Sequence, residues 1–247
     1  MTLAGRRAFV TGGGSGVGAV IATMLAQQGA QVTICGRRSK PLEQVAAAQA
    51  GITGLVCDIT DEAGLAEAIS TAAPDIVVAN AGASESGPFA KTDLAAFERM
   101  MSVNLTGTFL TLREGLKAMS GKPWGRLIAI ASTAGLKGYP YVAPYAAAKH
   151  GVIGLVKSVA LEQARKGITV NAVCPGFLDT EMTDRSIANI VAKTGRTPEE
   201  ARATLEATNP MHRLVPPEDV ARTVLWLCGP GSDMVTGQAI SVSGGET

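Results

Sequence analysis

Short β-branched runs recur along the chain, separated by alanine-rich stretches: RAFVT from 7, QVTIC from 31, GLVCD from 54, DIVVAN from 75, RLIAIAS from 126, ITVNAV from 168 and QAISVS from 238. These runs are apolar at nearly every position rather than at alternate ones, the pattern of strands covered on both faces of a parallel sheet. Between them, VGAVIATMLAQQG (17–29) repeats its apolar residues at helical spacing and stops at Gly29, where a C-terminal cap belongs. DEAGLAEAIS (61–70) and PPEDVARTVLWLC (216–228) predict helices opened by acidic residues, which suit the positive end of the helix dipole. The alternation predicts an α/β, doubly wound Rossmann-type fold with right-handed crossovers. No repeat or linker divides it, so residues 1–247 are expected to form one domain. From Asp179 to Glu218 no strand pattern is present, and RTPEEARATLEA (196–207) predicts a short helix opened at Thr197-Pro198. A long strandless insertion after the sixth strand is expected to be a mobile substrate lid, at about 179–215.

Composition agrees with one sizeable core: 46% of residues are hydrophobic, 17% are charged and 29 are glycine. The net charge is +1 and no basic run is longer than Arg37-Arg38, which argues against nucleic-acid and anionic-membrane partners. Cys35, Cys57, Cys174 and Cys228 are widely spaced in or beside apolar runs and read as small core residues in a reducing compartment. With no signal-peptide core at the start and no apolar run of membrane-spanning length, the expected location is the cytoplasm. His150 and His212 stand at no metal-ligand spacing, so no metal is expected.

TGGGSGVG (11–18) follows the first predicted strand and opens the first predicted helix. Glycines there let the backbone turn tightly and approach a pyrophosphate, whose charge the helix N-terminus stabilises. The spacing is Gly12-x-x-x-Gly16-x-Gly18, with Val17 where the common G-x-G-x-x-G pattern would place its last glycine; a plain glycine-rich turn is the structural alternative. No Lys-Ser/Thr pair follows, which excludes a P-loop, and no G-x-S-x-G register fits Ser15. At the end of the second strand, ICGRRSK carries no acid to hold ribose hydroxyls, while Arg37 and Arg38 suit an added phosphate. NADP(H) is therefore favoured, with NAD(H) the other possibility.

PYAAAKHG (144–151) sets Tyr145 one helical turn before Lys149. A free tyrosine titrates near pH 10, and an adjacent ammonium favours the phenolate, so the pair is a candidate acid/base for an alcohol or carbonyl oxygen. Ser132 ends a strand at the carboxyl edge, where it could hold that oxygen. Asn104 could order a water chain to Lys149, and NAG at 80–82 could let the backbone approach a ribose.

With T-G-x-x-x-G-x-G at 11–18, Asp58 after the third strand, N-A-G at 80–82, Asn104, Ser132, Tyr145, Lys149 and PGFLDT at 175–180, the whole chain resembles the short-chain dehydrogenase/reductase family. The resemblance implies a mostly parallel seven-stranded sheet in the order 3-2-1-4-5-6-7 and a homotetramer. It implies a catalytic set of Tyr145 as acid/base, Ser132 as oxygen anchor, Lys149 as pKa modulator and ribose contact, and Asn104 as proton-relay link. Cofactor contacts would come from Thr11, Gly12, Gly14, Ser15, Gly16, Val17 and Gly18, from Arg37, Arg38, Asp58 and Ile59, from Asn80, Ala81 and Gly82, from Tyr145 and Lys149, and from Pro175, Gly176 and Thr180. The chain departs from the family at Ala79, often Asn there, and at Ser243, often Asp. IASTAGLKG, YAAAKHGVIGL and GITVNAVCPGF look most like 3-oxoacyl-thioester reductases and aromatic polyketide ketoreductases. The implied reaction is NADPH-dependent reduction of a β-keto substrate, such as a CoA or carrier-protein thioester, or its reverse. The alternatives are a secondary-alcohol dehydrogenase for a steroid, sugar or aryl alcohol, and more remotely a non-catalytic dinucleotide-binding regulator. Ser84, Thr133, Tyr139, Tyr141 and Phe177 are candidate pocket residues.

Overall fold

The computed structural model describes residues 2–247. Seven strands, β1 (Arg7–Thr11), β2 (Gln31–Gly36), β3 (Ile52–Val56), β4 (Ile76–Ala79), β5 (Gly125–Ile130), β6 (Ile168–Pro175) and β7 (Ala239–Val242), pair in parallel in the order β3-β2-β1-β4-β5-β6-β7. The winding reverses between β1 and β4, and the crevice beyond the carboxyl ends of these two strands is where open α/β sheets bind ligands. Adjacent strand residues point to opposite faces, and both faces are covered. Val10, Val78 and Ile128 pack with Ile21, Leu25, Val220 and Leu227. Phe9, Val77 and Leu127 pack with Leu65, Ile69, Leu110, Val152 and Val156. This double coverage is the physical reason that the central strands read as continuous apolar runs.

The sheet edge departs from that rule. β3 begins two residues before the predicted run and ends before Cys57, and only Ile52 in it is buried; Val56 is 59% exposed. A strand with one neighbour has less surface to cover.

Nine helices connect the described strands: α1 (Gly16–Gln27), α2 (Ser39–Ala48), α3 (Glu62–Ala72), α4 (Leu94–Met101), α5 (Gly107–Ala118), α6 (Ala143–Gln163), α7 (Glu181–Thr194), α8 (Pro198–Glu206) and α9 (Pro217–Leu227). α1 ends as the spacing predicts, with Gly29 left-handed just beyond it at φ 92°. Asp61 caps α3 by accepting from the Gly64 N–H at 3.3 Å. Periodicity did not reveal α2 and α4, because each buries one residue fully, Leu42 and Met100 respectively. α5 was also missed, since its buried face includes Gly107, Thr108, Thr111, Glu114 and Gly115. Between α4 and α5 the chain winds through a five-residue π-helical stretch, Ser102–Thr106.

The segment predicted to be a strandless lid contains two helices. α8 matches the expected short helix and opens on a reciprocal capping box between Thr197 and Glu200. α7 precedes it, and Ile187, Ala201, Leu205 and Leu214 form a small core of their own between them. Asn189 Nδ2 donates to Ser86 Oγ at 2.7 Å, joining α7 to the loop after β4.

Candidate active site

The loop between β1 and α1 turns through Gly12 at φ 66° and Gly16 at φ 52°, conformations that strain residues with a Cβ. A methyl on Gly12 would stand 2.9 Å from Ala81 Cα, and one on Gly18 would stand 2.4 Å from Asn80 Nδ2 and from the Gly12 carbonyl oxygen. Asn80 is the reason for this closeness: its Nδ2 donates to the Thr11 and Gly12 carbonyls at 2.9 and 3.3 Å. The Asn80 and Ala81 N–H groups donate to Thr11 Oγ1 at 2.9 and 3.0 Å. Thr11, Asn80 and Ala81 thus tie the carboxyl ends of β1 and β4 together and hold the crevice in shape. Gly14 packs instead toward Pro41 and Leu42 at the start of α2, and Val17 packs on the core. Ser15, extended at the N-cap of α1, makes no side-chain cap, and no acidic residue stands in the first turn. The orphan N–H groups there and the positive end of the dipole fit a phosphate.

Thr180 comes within 3.8 Å of a methyl built on Gly16, so the 175–180 segment borders the same crevice. Arg37 and Arg38 are exposed just past β2, and among the described residues no acidic side chain forms an ion pair with either. Asp58 accepts from the Thr60 N–H and hydroxyl at 2.9 and 2.8 Å, bonds that hold its carboxyl below the ordinary range, with Arg37 adding to the effect. Ile59 is 6% exposed and packs on Gly107 of α5, so only its backbone can face a ligand.

Ser132, Tyr145, Lys149 and Asn104 converge at the carboxyl ends of β4 and β5. Ser132 Oγ accepts from the Ala134 N–H at 3.1 Å, opening a single 3-10 turn over Thr133–Gly135. This turn packs on α6 so closely that a methyl on Gly135 would lie 2.8 Å from the Lys149 carbonyl oxygen. Lys149 is 4% exposed, and its Nζ donates to the Ile130 carbonyl at 2.8 Å and lies 5.6 Å from the Tyr145 ring centroid. Burial without a carboxylate partner lowers its pKa from 10.5 to about 8. Tyr145 is half-buried, and desolvation raises its pKa, while the hydrogen bond with Ser132 pulls the other way. The expectation that Lys149 draws the tyrosine pKa down is therefore not met in this state. The ammonium is directed at the β5 carbonyl, and burial of the phenol prevails.

Asn104 is fully buried in the π-helical stretch. Its Nδ2 donates to the Ala83 and Met100 carbonyls at 2.9 and 3.1 Å, and its Oδ1 accepts from the Ala83 N–H at 3.2 Å. The amide clamps the loop after β4, which leaves one Oδ1 lone pair for a water. Gly82 separates that oxygen from Lys149: a methyl there would stand 2.8 Å from Asn104 Oδ1 and 3.8 Å from Lys149 Nζ.

Of the candidate pocket residues, Thr133, Tyr139 and Phe177 come together. Tyr139 Oη bonds Thr133 Oγ1 at 2.7 Å, and its ring meets Phe177 edge-on at 6.2 Å. Tyr141 is exposed, with a left-handed backbone at φ 68° and its carbonyl accepting from the Gly87 N–H at 2.8 Å; Ser84 is exposed nearby. Two residues of this cluster escaped the sequence reading. Glu246, next to last in the chain, turns a carboxylate that is 2% exposed toward the pocket, where it accepts from Tyr139 Oη at 2.5 Å and pairs with Lys137 Nζ at 3.1 Å. Burial, followed by the bond to Glu246, raises the Tyr139 pKa.

A parallel sheet reversing over a glycine-lined crevice, with a tyrosine, a serine hydroxyl and a buried lysine beside it, defines a dinucleotide-binding oxidoreductase. The family model described as enoyl-(acyl carrier protein) reductase matches residues 12–247. The chain belongs to the short-chain dehydrogenase/reductase family. It is similar to the 3-oxoacyl-acyl-carrier-protein reductase FabG of Rickettsia prowazekii, with 35% identity over 98% of this chain and 97% of the relative. It is likewise similar to the cis-4-hydroxycyclohexanecarboxylate dehydrogenase of Sinomonas cyclohexanicum, with 37% identity over 98% and 96%. The solved structure of actinorhodin polyketide ketoreductase with NADPH superposes with a TM-score of 0.91 at 37% identity, covering 100% of this chain and 99% of that one.

Proposed function

We propose that this protein is an NADPH-dependent reductase of a β-keto substrate, converting its ketone to a secondary alcohol or running in reverse. The observation that carries this reading is the buried Lys149, one helical turn from Tyr145 with its ammonium 5.6 Å from that ring centroid, beside Ser132 just past β5 and at the edge of the glycine-lined crevice. When bound, the nicotinamide would exchange a hydride with the carbonyl carbon. Ser132 holds the carbonyl oxygen, and Tyr145 gives its proton to that oxygen as the double bond is lost. The phenol, whose ordinary pKa near 10 is raised further by burial, is protonated at neutral pH, the form that reduction needs. Lys149, predominantly charged at neutral pH with its pKa near 8, favours the phenolate left behind. Asn104 fixes the Gly82–Ala83 backbone facing this group.

Arg37 and Arg38 support NADPH over NADH, because their charges stand free where an added phosphate would lie. The 3-oxoacyl and polyketide relatives support a β-keto thioester, while the hydroxycyclohexanecarboxylate relative supports a ketone bearing a free carboxylate. α7 and α8 would serve as the substrate lid, since they rest on their own small core and reach Ser86 across the crevice. A homotetramer is supported by an apolar groove formed by Leu105, Phe109, Gly151, Gly154 and Leu155, with Phe97 and Leu94 also exposed on α4. Four free, buried cysteines support a reducing, cytoplasmic setting, and no helix among the described residues is long and apolar enough to cross a membrane.

The test is Tyr145→Phe with acetoacetyl-CoA and NADPH. Turnover is expected to fall by roughly 10²–10⁴-fold, the scale of general acid catalysis, with NADPH affinity retained. Retention of most of the turnover would refute the assignment. A crotonyl-CoA arm separates ketone reduction from enoyl reduction.

A further inference from the structure

We infer that Thr133, Tyr139 and Lys137 form a subsite for a carboxylate of the substrate, and that Glu246 fills it with its own carboxylate until substrate arrives. The inference names the substrate class for the site read above as a carbonyl reductase, and it rests on that reading.

Tyr139 has one proton and two partners, Glu246 Oε1 at 2.5 Å and Thr133 Oγ1 at 2.7 Å. A carboxylate can only accept, so the phenol donates to Glu246 and the Thr133 hydroxyl donates to the phenol oxygen. Lys137 Nζ adds a third donor, 3.1 Å from the same Oε1. Hydroxyl, phenol and ammonium therefore form a chain of donors ending on one carboxylate oxygen. Without Glu246 the phenol of the half-buried Tyr139 and the Lys137 ammonium, whose side chain is 40% exposed, converge on one anion position that an acceptor with negative charge satisfies best.

The cluster also adjoins the chemistry. Thr133 directly follows Ser132, and Tyr139 is tied to Thr133 by the 2.7 Å bond. On the far side Gly176 follows β6, and a methyl there would stand 3.1 Å from Glu246 Oε2. The Gly176 backbone thus lies close against the carboxylate and bounds that side of the position.

The tail that delivers Glu246 is lightly tied. It follows Gly244 and Gly245, at φ 64° and 92°, and beyond the carboxylate it is held by a 3.4 Å bond from the Glu246 N–H to the Ser243 carbonyl, a 3.3 Å bond from Lys137 to the Glu246 carbonyl, and the Thr247 hydroxyl on Ser241 at 2.6 Å. Replacing one carboxylate by another keeps the same charge-assisted bonds to Lys137 and Tyr139. The electrostatic terms nearly cancel, and what remains is the conformational cost of turning Glu246 away about the Gly244-Gly245 hinge. An ester or thioester has no charge to offer Lys137 and cannot make the same exchange.

The test compares a carboxylate with its neutral isostere, first by calorimetry on the protein without cofactor, using butyrate and butyramide. Glu246→Ala, which frees the donors, is expected to tighten butyrate relative to butyramide by about tenfold, the scale of one charge-assisted hydrogen bond. Lys137→Met is expected to abolish the preference. Glu246→Gln keeps the tail shape, removes its charge, and is expected to shift the preference in the same direction as Glu246→Ala. With NADPH, the ratio of KM for acetoacetate to KM for ethyl acetoacetate should fall in Glu246→Ala and rise in Lys137→Met, each by about tenfold. Equal shifts for both members of either pair would overturn the proposal, because they would make Glu246 a fixed wall. Butyrate preference that follows the variants in a protein that reduces neither ketone would leave the subsite standing and remove the reductase reading instead.

Discussion

Lys149 offers a prediction whose sign changes with pH. Its ammonium is 4% exposed, its hydrogen-bond acceptor is the neutral Ile130 carbonyl, and its pKa falls from 10.5 to about 8. In the unfolded chain the lysine keeps its ordinary value, so between about pH 8 and 10.5 the unfolded state binds the extra proton and stability rises with pH. Below pH 8 both states are protonated and the full penalty of burying the charge applies; above 10.5 both are neutral and the penalty is gone. At about 1.4 kcal/mol per pH decade, that interval amounts to about 3 kcal/mol. Lys149→Met removes the charge and also leaves the Ile130 carbonyl without its partner, at a cost of about 1 kcal/mol. The variant is therefore expected to be about 2 kcal/mol more stable than the parent at pH 7 and about 1 kcal/mol less stable at pH 11. Urea denaturation of both proteins from pH 7 to 11 measures this, and the difference between them cancels the other groups that titrate in the range. A variant that is less stable than the parent by the same amount at both ends would refute the reasoning, because the buried charge would then be fully compensated.

Arg37→Ala should raise the dissociation constant for NADPH and spare that for NADH, read by parallel calorimetric titrations. Equal losses would make Arg37 a structural residue. Gly18→Ala forces a methyl to within 2.4 Å of Asn80 Nδ2 and the Gly12 carbonyl oxygen. Overpacking of this kind costs about 1–3 kcal/mol and should spread the β1–β4 crevice, so thermal stability and dinucleotide binding should fall together. Unchanged affinity in a folded Gly18→Ala protein would show that the loop is not the binding cradle.

Sequence periodicity revealed the central strands because Phe9 and Val10, Val77 and Val78, and Leu127 and Ile128 are buried in opposite directions. It failed where burial was not apolar: α5 faces the sheet with glycines, threonines and Glu114, and no count of hydrophobic positions finds such a helix. Ser132, Tyr145, Lys149 and Asn104 were recognisable as a set from residue type and order along the chain, and the structure brings them together. Their electrostatics were not legible, because the orientation of Lys149 toward Ile130 and the desolvation of Tyr145 depend on packing between α6 and β5. Glu246 was hidden for a simpler reason. It meets Tyr139 and Lys137 across 107 and 109 residues of chain, a separation that no local pattern spans.

The π-helical stretch shows why the site lies where regular patterning breaks down. A wide turn carries an extra residue and disturbs the i→i−4 ladder, which ordinarily leaves carbonyls short of donors. Here the Thr108 hydroxyl donates to the Asn104 carbonyl at 2.8 Å and the Thr111 hydroxyl to the Gly107 carbonyl at 2.7 Å, so threonines on the buried face complete the bonds and the helix resumes as α5. The turn aims the Asn104 amide at both backbone groups of Ala83, and this fixes Gly82 opposite Lys149. An apolar residue at 104 would fill the same volume but leave the Ala83 N–H and carbonyl without these partners, and the loop would no longer be held at the distance that Gly82 requires. The buried polar groups at this edge are thus satisfied by backbone, and Lys149 is the group left to bear an uncompensated charge. That charge lowers the stability of the fold and favours the Tyr145 phenolate when a proton is transferred.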